Sequence, residues 1–132
     1  MTAHTDPNCI FCKIVEGSIP SRKVYEDDEI LAFHDIAPWA PVHFMLVPKR
    51  HIASMAQLTP EDAALMGRIM TLVPKLALEA GCRPYPEGGW RVVVNTGSDG
   101  GQEVHHLHVH VMGGPRPWQK DILPAGRAGR RD

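Results

Sequence analysis

The sequence predicts a single α+β domain whose sheet has about five antiparallel strands and packs against one long helix. Its 132 residues suit one domain that buries a core of its own. Short runs of β-branched and aromatic residues are separated by turn residues, and their hairpin-like connections favour antiparallel pairing. One longer run, residues 59–81, has apolar residues at helical spacing.

The strand segments lie on both sides of this long helix. The predicted strands are Arg22–Glu26, Glu29–His34, His43–Val47, Trp90–Asn95 and His105–Met112. Asp27 and Asp28 form a tight turn between the first two strands, because Asp side chains bond nearby backbone groups. Pro48 ends the third strand.

A short helix is predicted over roughly Cys9–Glu16. Asp6 and Asn8 are its candidate N-caps, because their side chains can accept hydrogen bonds from the first free N–H groups. Gly17 suits its C-terminal end.

The long helix is predicted to begin with Thr59 as its cap and Pro60 in its first position. Its apolar stripe consists of Leu65, Ile69, Leu72, Val73 and Leu76. Pro74 lies inside this pattern and should kink the helix or divide it. Gly81 closes the helix, which serves as core scaffold.

Composition excludes several classes of protein. The net charge of −1 gives no general attraction to nucleic acid or to acidic membranes. There is no apolar run of transmembrane length and no signal-peptide pattern at the N-terminus, so a cytoplasmic protein is expected. The three cysteines, an odd number, argue against a disulfide framework and leave Cys9 and Cys12 as a C-x-x-C pair for metal or redox chemistry.

Three histidines, His106, His108 and His110, alternate with aliphatic residues. In a strand, residues at this spacing point to one face, so three imidazoles are predicted to share a face. Buried imidazoles need partners for their nitrogens, which makes a purely structural role for three of them improbable. Neutral imidazole can act as a nucleophile, a general acid or base, or a metal ligand.

The glycine-rich turn Gly97–Gly101 comes just before the histidine row. Such a turn can direct backbone N–H groups at one oxyanion. Glycines in a turn are ordinary by themselves, but next to three histidines they favour chemistry at a phosphate group.

Two arrangements of a metal are compatible with these residues. Cys9 and Cys12 could complete a closed zinc site with two histidines, for which His34, His43, His51 and His106 are candidates. Alternatively, the three histidines of the row could hold one open zinc ion, which would predict a metal-activated hydrolase.

The segment His106–Met112 fits the His-φ-His-φ-His-φ-φ signature of the histidine triad (HIT) family. Further segments resemble the Hint branch of that family, the purine nucleoside phosphoramidases. These segments are Ile10–Ile14, Glu26–Asp28, Ala32–Ile36, Ala40–Phe44, Pro48–Ile52, Val94–Gln102 and Gly113–Gly114. The resemblance covers roughly residues 9–118, so residues 1–132 are read as one HIT domain with arms at 1–8 and 119–132.

The resemblance implies a HIT-like fold and a homodimer, in which each subunit has a five-stranded antiparallel sheet, one long helix and one short helix. It implies that His108 is the catalytic nucleophile and that His110 contacts the phosphate. The implied phosphate-side contacts are Asn95, Gly101, Gln102 and Val104, and Asp35 would bind the ribose hydroxyls. The implied purine pocket consists of Ile10, Phe11, Ile14, Ile19, Phe33, His34 and Ile36.

The resemblance also implies a structural zinc ion on Cys9, Cys12, His51 and His106, and no cofactor for the chemistry. The expected function is hydrolysis of purine nucleoside 5′-phosphoramidates through a nucleotidyl-His108 intermediate. Glu103 replaces a serine of the animal Hint proteins, which leaves the preferred amine open. The alternatives are a dinucleoside polyphosphate hydrolase, a nucleotide-binding regulatory module and a three-histidine zinc hydrolase.

Overall fold

The structure is a computed structural model that describes residues 6–114. The predicted arm at 119–132 and most of the arm at 1–8 therefore lie outside the described residues. The helices are α1 (Ile10–Glu16) and α2 (Ala63–Ala80), and the strands are β1 (Lys23–Glu26), β2 (Ile30–His34), β3 (Val42–Pro48), β4 (Trp90–Val93) and β5 (Val109–Gly113). The strands form one antiparallel sheet in the order β1-β2-β3-β5-β4. The predicted α+β fold with a five-stranded antiparallel sheet and two helices is confirmed.

The two faces of the sheet carry different structures. Alternate residues such as Phe44 and Leu46 of β3 face α2 and form the larger apolar core with Ile69, Val73 and Leu76. Their neighbours Met45 and Val47 form a second apolar cluster with residues of α1. This alternation follows from the period of two in a strand. The row histidine His110, opposite Met45 in the register, lies on the α1 side of the sheet.

Helix α2 is preceded by a capping box. The Thr59 side chain accepts a hydrogen bond from the Glu61 N–H, while the Asp62 carboxylate accepts one from the Thr59 N–H. A short 3-10 turn, Pro60–Asp62, leads into the helix, which ends at Gly81 with φ +117°. The predicted cap and closing glycine are confirmed.

The helix continues through Pro74 without interruption, so the alternative in which Pro74 divides it is wrong. A proline inside a helix costs about 3 kcal/mol. Three large side chains on this helix, Ile69, Val73 and Leu76, are almost completely buried. Because burial of one such side chain contributes about 1.5–3 kcal/mol, packing outweighs the proline.

The short helix is capped differently from the prediction. Cys9, rather than Asp6 or Asn8, is the N-cap, and its Sγ accepts a hydrogen bond from the Cys12 N–H at 3.2 Å. Asp6 instead organises the preceding turn, where its carboxylate accepts from the Asn8 N–H at 2.9 Å. Gly17 ends the helix with φ +92°, as predicted.

The histidine row and the sheet overlap only in part. Strand β5 begins at Val109, so His106 and His108 precede it, in contrast to the prediction of a strand over residues 105–112. The cause is local, because the Leu107 N–H bonds the carbonyl of Ile52 at 2.7 Å, outside the described strands. Within residues 6–114, neither helix combines the length and apolarity needed to cross a lipid bilayer.

Candidate functional site

The three row histidines are buried and lie side by side. The ring of Phe11, on α1, contacts the edges of both His106 and His108, with centroid distances of 6.0 and 5.1 Å. The rings of His108 and His110 are 4.9 Å apart. The predicted common face therefore exists, although most of the row precedes the strand.

The first of them, His106, belongs to a cluster with Cys9, Cys12 and His51. One ligand atom from each residue lies within 4.8 Å of all the others. Cys9 Sγ is 3.3 Å from His106 Nδ1, and Cys12 Sγ is 3.3 Å from His51 Nδ1. A tetrahedral zinc ion separates a sulfur and a nitrogen ligand by about 3.6 Å. Two thiol groups and two imidazoles at this spacing fit a closed zinc site.

The backbone orients His106 for such a role. Its Nε2–H donates to the carbonyl of Pro48 at 2.8 Å, which leaves the Nδ1 lone pair facing the two cysteines. Metal-binding histidines are usually oriented by a hydrogen bond of this kind. Burial lowers the pKa of His106 to about 4, so the ring is neutral at physiological pH and can bind a cation.

The thiol groups are held by backbone N–H groups as well. The Asp6 N–H points at Cys12 Sγ at 3.4 Å, in addition to the Cys12 N–H at Cys9 Sγ. Burial raises the pKa of Cys12 to about 11, and the adjacent Cys9 adds to this rise. A metal ion would therefore have to displace the Cys12 proton on binding.

A hydrogen bond to the main chain fixes the tautomer of His108. Its Nδ1–H donates to the main-chain carbonyl of His106 at 2.7 Å, so Nε2 keeps its lone pair. The side chain is buried beside Phe11. An imidazole fixed in this tautomer can attack an electrophile through Nε2.

His110 is part of a second group with Asp35 and His43. The Trp39 N–H donates to His43 Nδ1 at 3.0 Å, so the hydrogen of a neutral His43 ring is on Nε2. That Nε2 lies 3.0 Å from His110 Nδ1 and 3.4 Å from the Asp35 carboxylate. His43 Nε2 thus lies within reach of two acceptors, His110 Nδ1 and the Asp35 carboxylate, and it connects both residues in one buried group.

From the sequence, His43 is predicted only as a possible zinc ligand, with no part in the chemistry. The structure instead places it beside His110, a residue 67 positions away in the chain. The available signal was the strand alternation, which puts His43 and Met45 on one face of β3, opposite the row. No sequence pattern predicts the hydrogen bond from the Trp39 N–H to the His43 ring.

The glycine-rich turn does not have the predicted arrangement. Its N–H groups at Gly97, Gly100, Gly101 and Gln102 all donate to acceptors within the turn, at 2.9–3.1 Å. Since these four groups already have acceptors within the turn, they are not directed at one oxyanion in this structure, and the oxyanion role of the turn stays a prediction.

Gln102 supports the turn with its side chain. Its Oε1 accepts from the Gly97 N–H at 2.9 Å, and its Nε2 donates to the carbonyls of Ala53 and Val104 at 2.9 and 3.0 Å. The buried amide thus connects three backbone segments.

Comparison with known proteins assigns the family. Residues 8–121 match the family model described as "Scavenger mRNA decapping enzyme C-term binding". The chain is 48% identical to protein HitA of Neisseria gonorrhoeae, over 82% of this chain and 97% of that protein. It is 47% identical to a HIT-like protein of Synechococcus elongatus, over 80% of this chain and 89% of the relative. The chain belongs to the histidine triad (HIT) family.

Solved structures of HIT proteins agree with this assignment. A HIT family hydrolase from Legionella pneumophila superposes with a TM-score of 0.77 at 45% identity, covering 83% of this chain and 95% of the other. A HIT family hydrolase from Clostridium thermocellum gives a TM-score of 0.81 at 38% identity, covering 89% of this chain and all of the other.

The residues predicted for the nucleotide have different environments in this HIT domain. Phe11 and Phe33 are buried, their rings meet edge to face at 5.5 Å, and Ile14 and Val104 pack against the same cluster. Ile36 and Ile10 are exposed, whereas Ile19, His34 and Asn95 are partly buried and Gly101 is exposed. Burial lowers the pKa of His34, and the charge of Arg22 adds to this. Of these residues, Phe11 contacts the ring of His108, and Phe33 and Ile14 pack in the same apolar cluster as Phe11.

Proposed function

We propose that this HIT protein is a nucleotide-binding hydrolase that cleaves purine nucleoside 5′-phosphoramidates through a nucleotidyl-His108 intermediate. The observation that carries the proposal is the hydrogen bond from His108 Nδ1 to the His106 carbonyl, because it leaves Nε2 as a nucleophile. The solved relatives whose titles name them HIT family hydrolases support hydrolysis as the reaction class. The Hint-like segments support the phosphoramidate substrate.

In the first step, His108 Nε2 attacks the α-phosphorus and the P–N bond breaks, and the departing nitrogen takes a proton from solvent water to leave as the amine. We assign the Nε2–H of His110 as the donor to a phosphate oxygen, with Nδ1, which lies 3.0 Å from His43 Nε2, as the acceptor in that contact. In the second step, water attacks the phosphorus and releases the nucleoside monophosphate and free His108. Two transfers through a covalent intermediate replace one difficult displacement.

The purine base and the ribose of the substrate bind next to His108 and His110. The purine packs on Phe11, Phe33 and Ile14, and the exposed Ile36 gives apolar area that a bound base would cover. Asp35, whose carboxylate also accepts from the Ala37 N–H at 2.8 Å, binds the ribose hydroxyls. Asn95, Gly101 and Val104 provide the phosphate side.

We assign a structural zinc ion to Cys9, Cys12, His51 and His106. Four protein ligands close the coordination sphere, so zinc here contributes folding energy and no open position for a substrate. The same assignment leaves His108 and His110 to the chemistry, and it disfavours a three-histidine zinc hydrolase.

We further propose that the protein is a homodimer. The support is the resemblance to the Hint branch, together with the position of β4 as an edge strand whose four residues are half-buried in the single chain. Light scattering of the purified protein measures the oligomeric state, and a monomer at micromolar concentration would contradict this part.

The decisive assay compares two substrates. We expect the zinc-loaded protein to hydrolyse a fluorogenic adenosine 5′-phosphoramidate faster than diadenosine polyphosphate. Preference for the polyphosphate would contradict the proposed activity and would indicate a dinucleoside polyphosphate hydrolase. Tight AMP binding without turnover of either substrate would instead indicate a nucleotide-binding module.

A further inference from the structure

Two residues, His106 and Phe11, connect the C-x-x-C pair to the proposed nucleophile, His108. His106 joins them twice, because its imidazole lies against Cys9 and its carbonyl accepts the hydrogen bond from His108. Phe11, one of the two residues between the cysteines, makes a second connection through its ring contact with His108. A change at the sulfurs therefore reaches the nucleophile by two short routes.

The two thiol groups are placed so that they can also react with each other. Their sulfurs belong to the cluster whose ligand atoms lie within 4.8 Å of one another. Cys9 has an extended backbone, with φ −95° and ψ 119°, and it precedes the helix that contains Cys12. Rotation of the Cys9 side chain can reduce the sulfur separation towards the roughly 2.05 Å of a disulfide.

Exposure distinguishes the two cysteines. Cys9 retains 8% of its surface, whereas Cys12 retains none. A small oxidant therefore reaches Cys9 first, and Cys12 is positioned to resolve the product. Cys82, the remaining cysteine of the chain, belongs to the core on the α2 face.

We propose that Cys9 and Cys12 form a redox-responsive metal centre, in which a peroxide closes a Cys9–Cys12 disulfide, releases the metal ion and inactivates His108. The inference rests on the proposed function only for the role of His108 as nucleophile. The modification and the loss of the metal are properties of the cysteine cluster itself.

The chemistry balances with a peroxide as the two-electron oxidant. The Cys9 thiolate attacks one peroxide oxygen, which breaks the O–O bond and gives Cys9 sulfenic acid and hydroxide. The Cys12 thiolate then attacks the Cys9 sulfur and displaces a second hydroxide, forming the S–S bond. The two hydroxides take up two protons as water, and the metal ion leaves because two of its four ligands are gone.

Loss of the metal removes one restraint on the His106 side chain, in addition to its hydrogen bond with Pro48, and the main-chain carbonyl of His106 orients His108. We also expect formation of the disulfide to shift the start of helix α1, which contains Phe11. Because residues that orient a site typically contribute about 10–100-fold to activity or affinity, we expect turnover to fall by about tenfold or more.

The test uses the zinc-loaded full-length protein treated with hydrogen peroxide. We expect three changes that do not involve a substrate. The intact mass falls by two hydrogen atoms with the disulfide mapped to Cys9 and Cys12, one zinc ion per chain appears in a colorimetric chelator assay, and the ring ¹⁵N signals of His108 shift. Dithiothreitol with zinc should reverse all three, together with the loss of turnover.

Cys82→Ala is the matched control, since it removes a buried cysteine outside the cluster and should respond like the wild type. Cys9→Ala should form no disulfide, and if this variant does not fold, the wild-type measurements decide. Retention of both thiols and of zinc under peroxide overturns the proposal. So does a closed disulfide that leaves the His108 signals unchanged.

The two proposals can fail separately. Absence of phosphoramidate turnover in the untreated wild type would remove the proposed function, while the mass, zinc and histidine measurements would still test the redox-responsive centre. Normal turnover that persists after the disulfide has closed would overturn only the coupling to His108.

Discussion

His108 Nδ1 lies 2.7 Å from the main-chain oxygen of His106, two residues earlier in the chain. This single contact determines which nitrogen of His108 carries the lone pair. It also makes the backbone of a candidate metal ligand the support of the candidate nucleophile. The orientation of His108 therefore depends on the conformation at His106, which the cysteine cluster restrains.

His108→Ala should abolish phosphoramidate hydrolysis. Removal of an essential nucleophile typically lowers kcat by several orders of magnitude, so we expect a loss of about 10³-fold or more. AMP affinity, measured by calorimetry, should change little, because the apolar cluster around Phe11 and Phe33 is retained. The exposed neighbour His105 provides the control His105→Ala, which should keep normal turnover. Comparable turnover in both variants would exclude His108 as the nucleophile.

His43→Ala tests whether His43 positions His110. Loss of the 3.0 Å contact between His43 Nε2 and His110 Nδ1 removes one hydrogen bond, which is worth about 1.4 kcal/mol or roughly tenfold in rate. We expect kcat to fall with little change in KM, because His110 loses a partner that positions its ring. A kcat equal to that of the wild type would show that His43 does not position His110.

Much of the fold follows from sequence patterns, because alternation and helix spacing are local. The Thr59 cap, the αL glycines Gly17 and Gly81, and the chemistry of the Asp27 turn are all readable within a few residues. The helix through Pro74 was not predictable in the same way, since tertiary packing decides its course.

The candidate site also combines features that the sequence predicts with features that depend on residues distant in the chain. Alternation in the row predicted a shared face, and the family resemblance selected Cys9, Cys12, His51 and His106, which the structure brings together. The partnership of His43 with His110 and the hydrogen-bonding of Gln102 depend on residues distant in the chain. Nothing in the local pattern around either residue specifies those partners, so only the assembled fold reveals them.

Zinc should bind in a ratio of one per chain and stabilise the fold. A metal that binds only the native state adds about 2.7 kcal/mol to the free energy of unfolding when its free concentration is one hundred times Kd. We therefore expect chelation to lower Tm and His51→Ala to remove this zinc dependence. Cys82→Ala, outside the cluster, should keep it. Metal analysis that finds far less than one zinc per chain, after purification without chelators, would reject the site.

Glu26 should make the stability depend on acid pH. Hydrogen bonds from Lys23 and Lys49, both at 2.7 Å, lower the pKa of Glu26 from 4.5 to about 2. Because the folded pKa is the lower one, the contribution of Glu26 is present above pH 4.5 and disappears as the pH falls through about 2. The stability difference between the wild type and Glu26→Gln, measured by urea unfolding, should therefore shrink across this range. Glu87→Gln serves as an exposed control, and a pH-independent difference for Glu26→Gln would contradict the assignment.

Gln102→Ala separates two roles for a residue that resemblance places at the phosphate. In the structure, its buried amide bonds three backbone groups, at Gly97, Ala53 and Val104. Truncation leaves those groups without this partner, and each buried unsatisfied group costs about 1–3 kcal/mol. We therefore expect a loss of about 3 kcal/mol or more in the free energy of unfolding, measured in urea, with weaker AMP binding as a consequence of the altered turn.

The control for this variant is Glu87→Ala, an exposed polar side chain whose removal should cost about 0.5 kcal/mol or less. If Gln102→Ala keeps wild-type stability but loses AMP affinity, the side chain acts on the phosphate directly and its bonds to the backbone are incidental. If both quantities fall together, the amide shapes the phosphate site by holding the glycine turn against the segments that contain Ala53 and Val104.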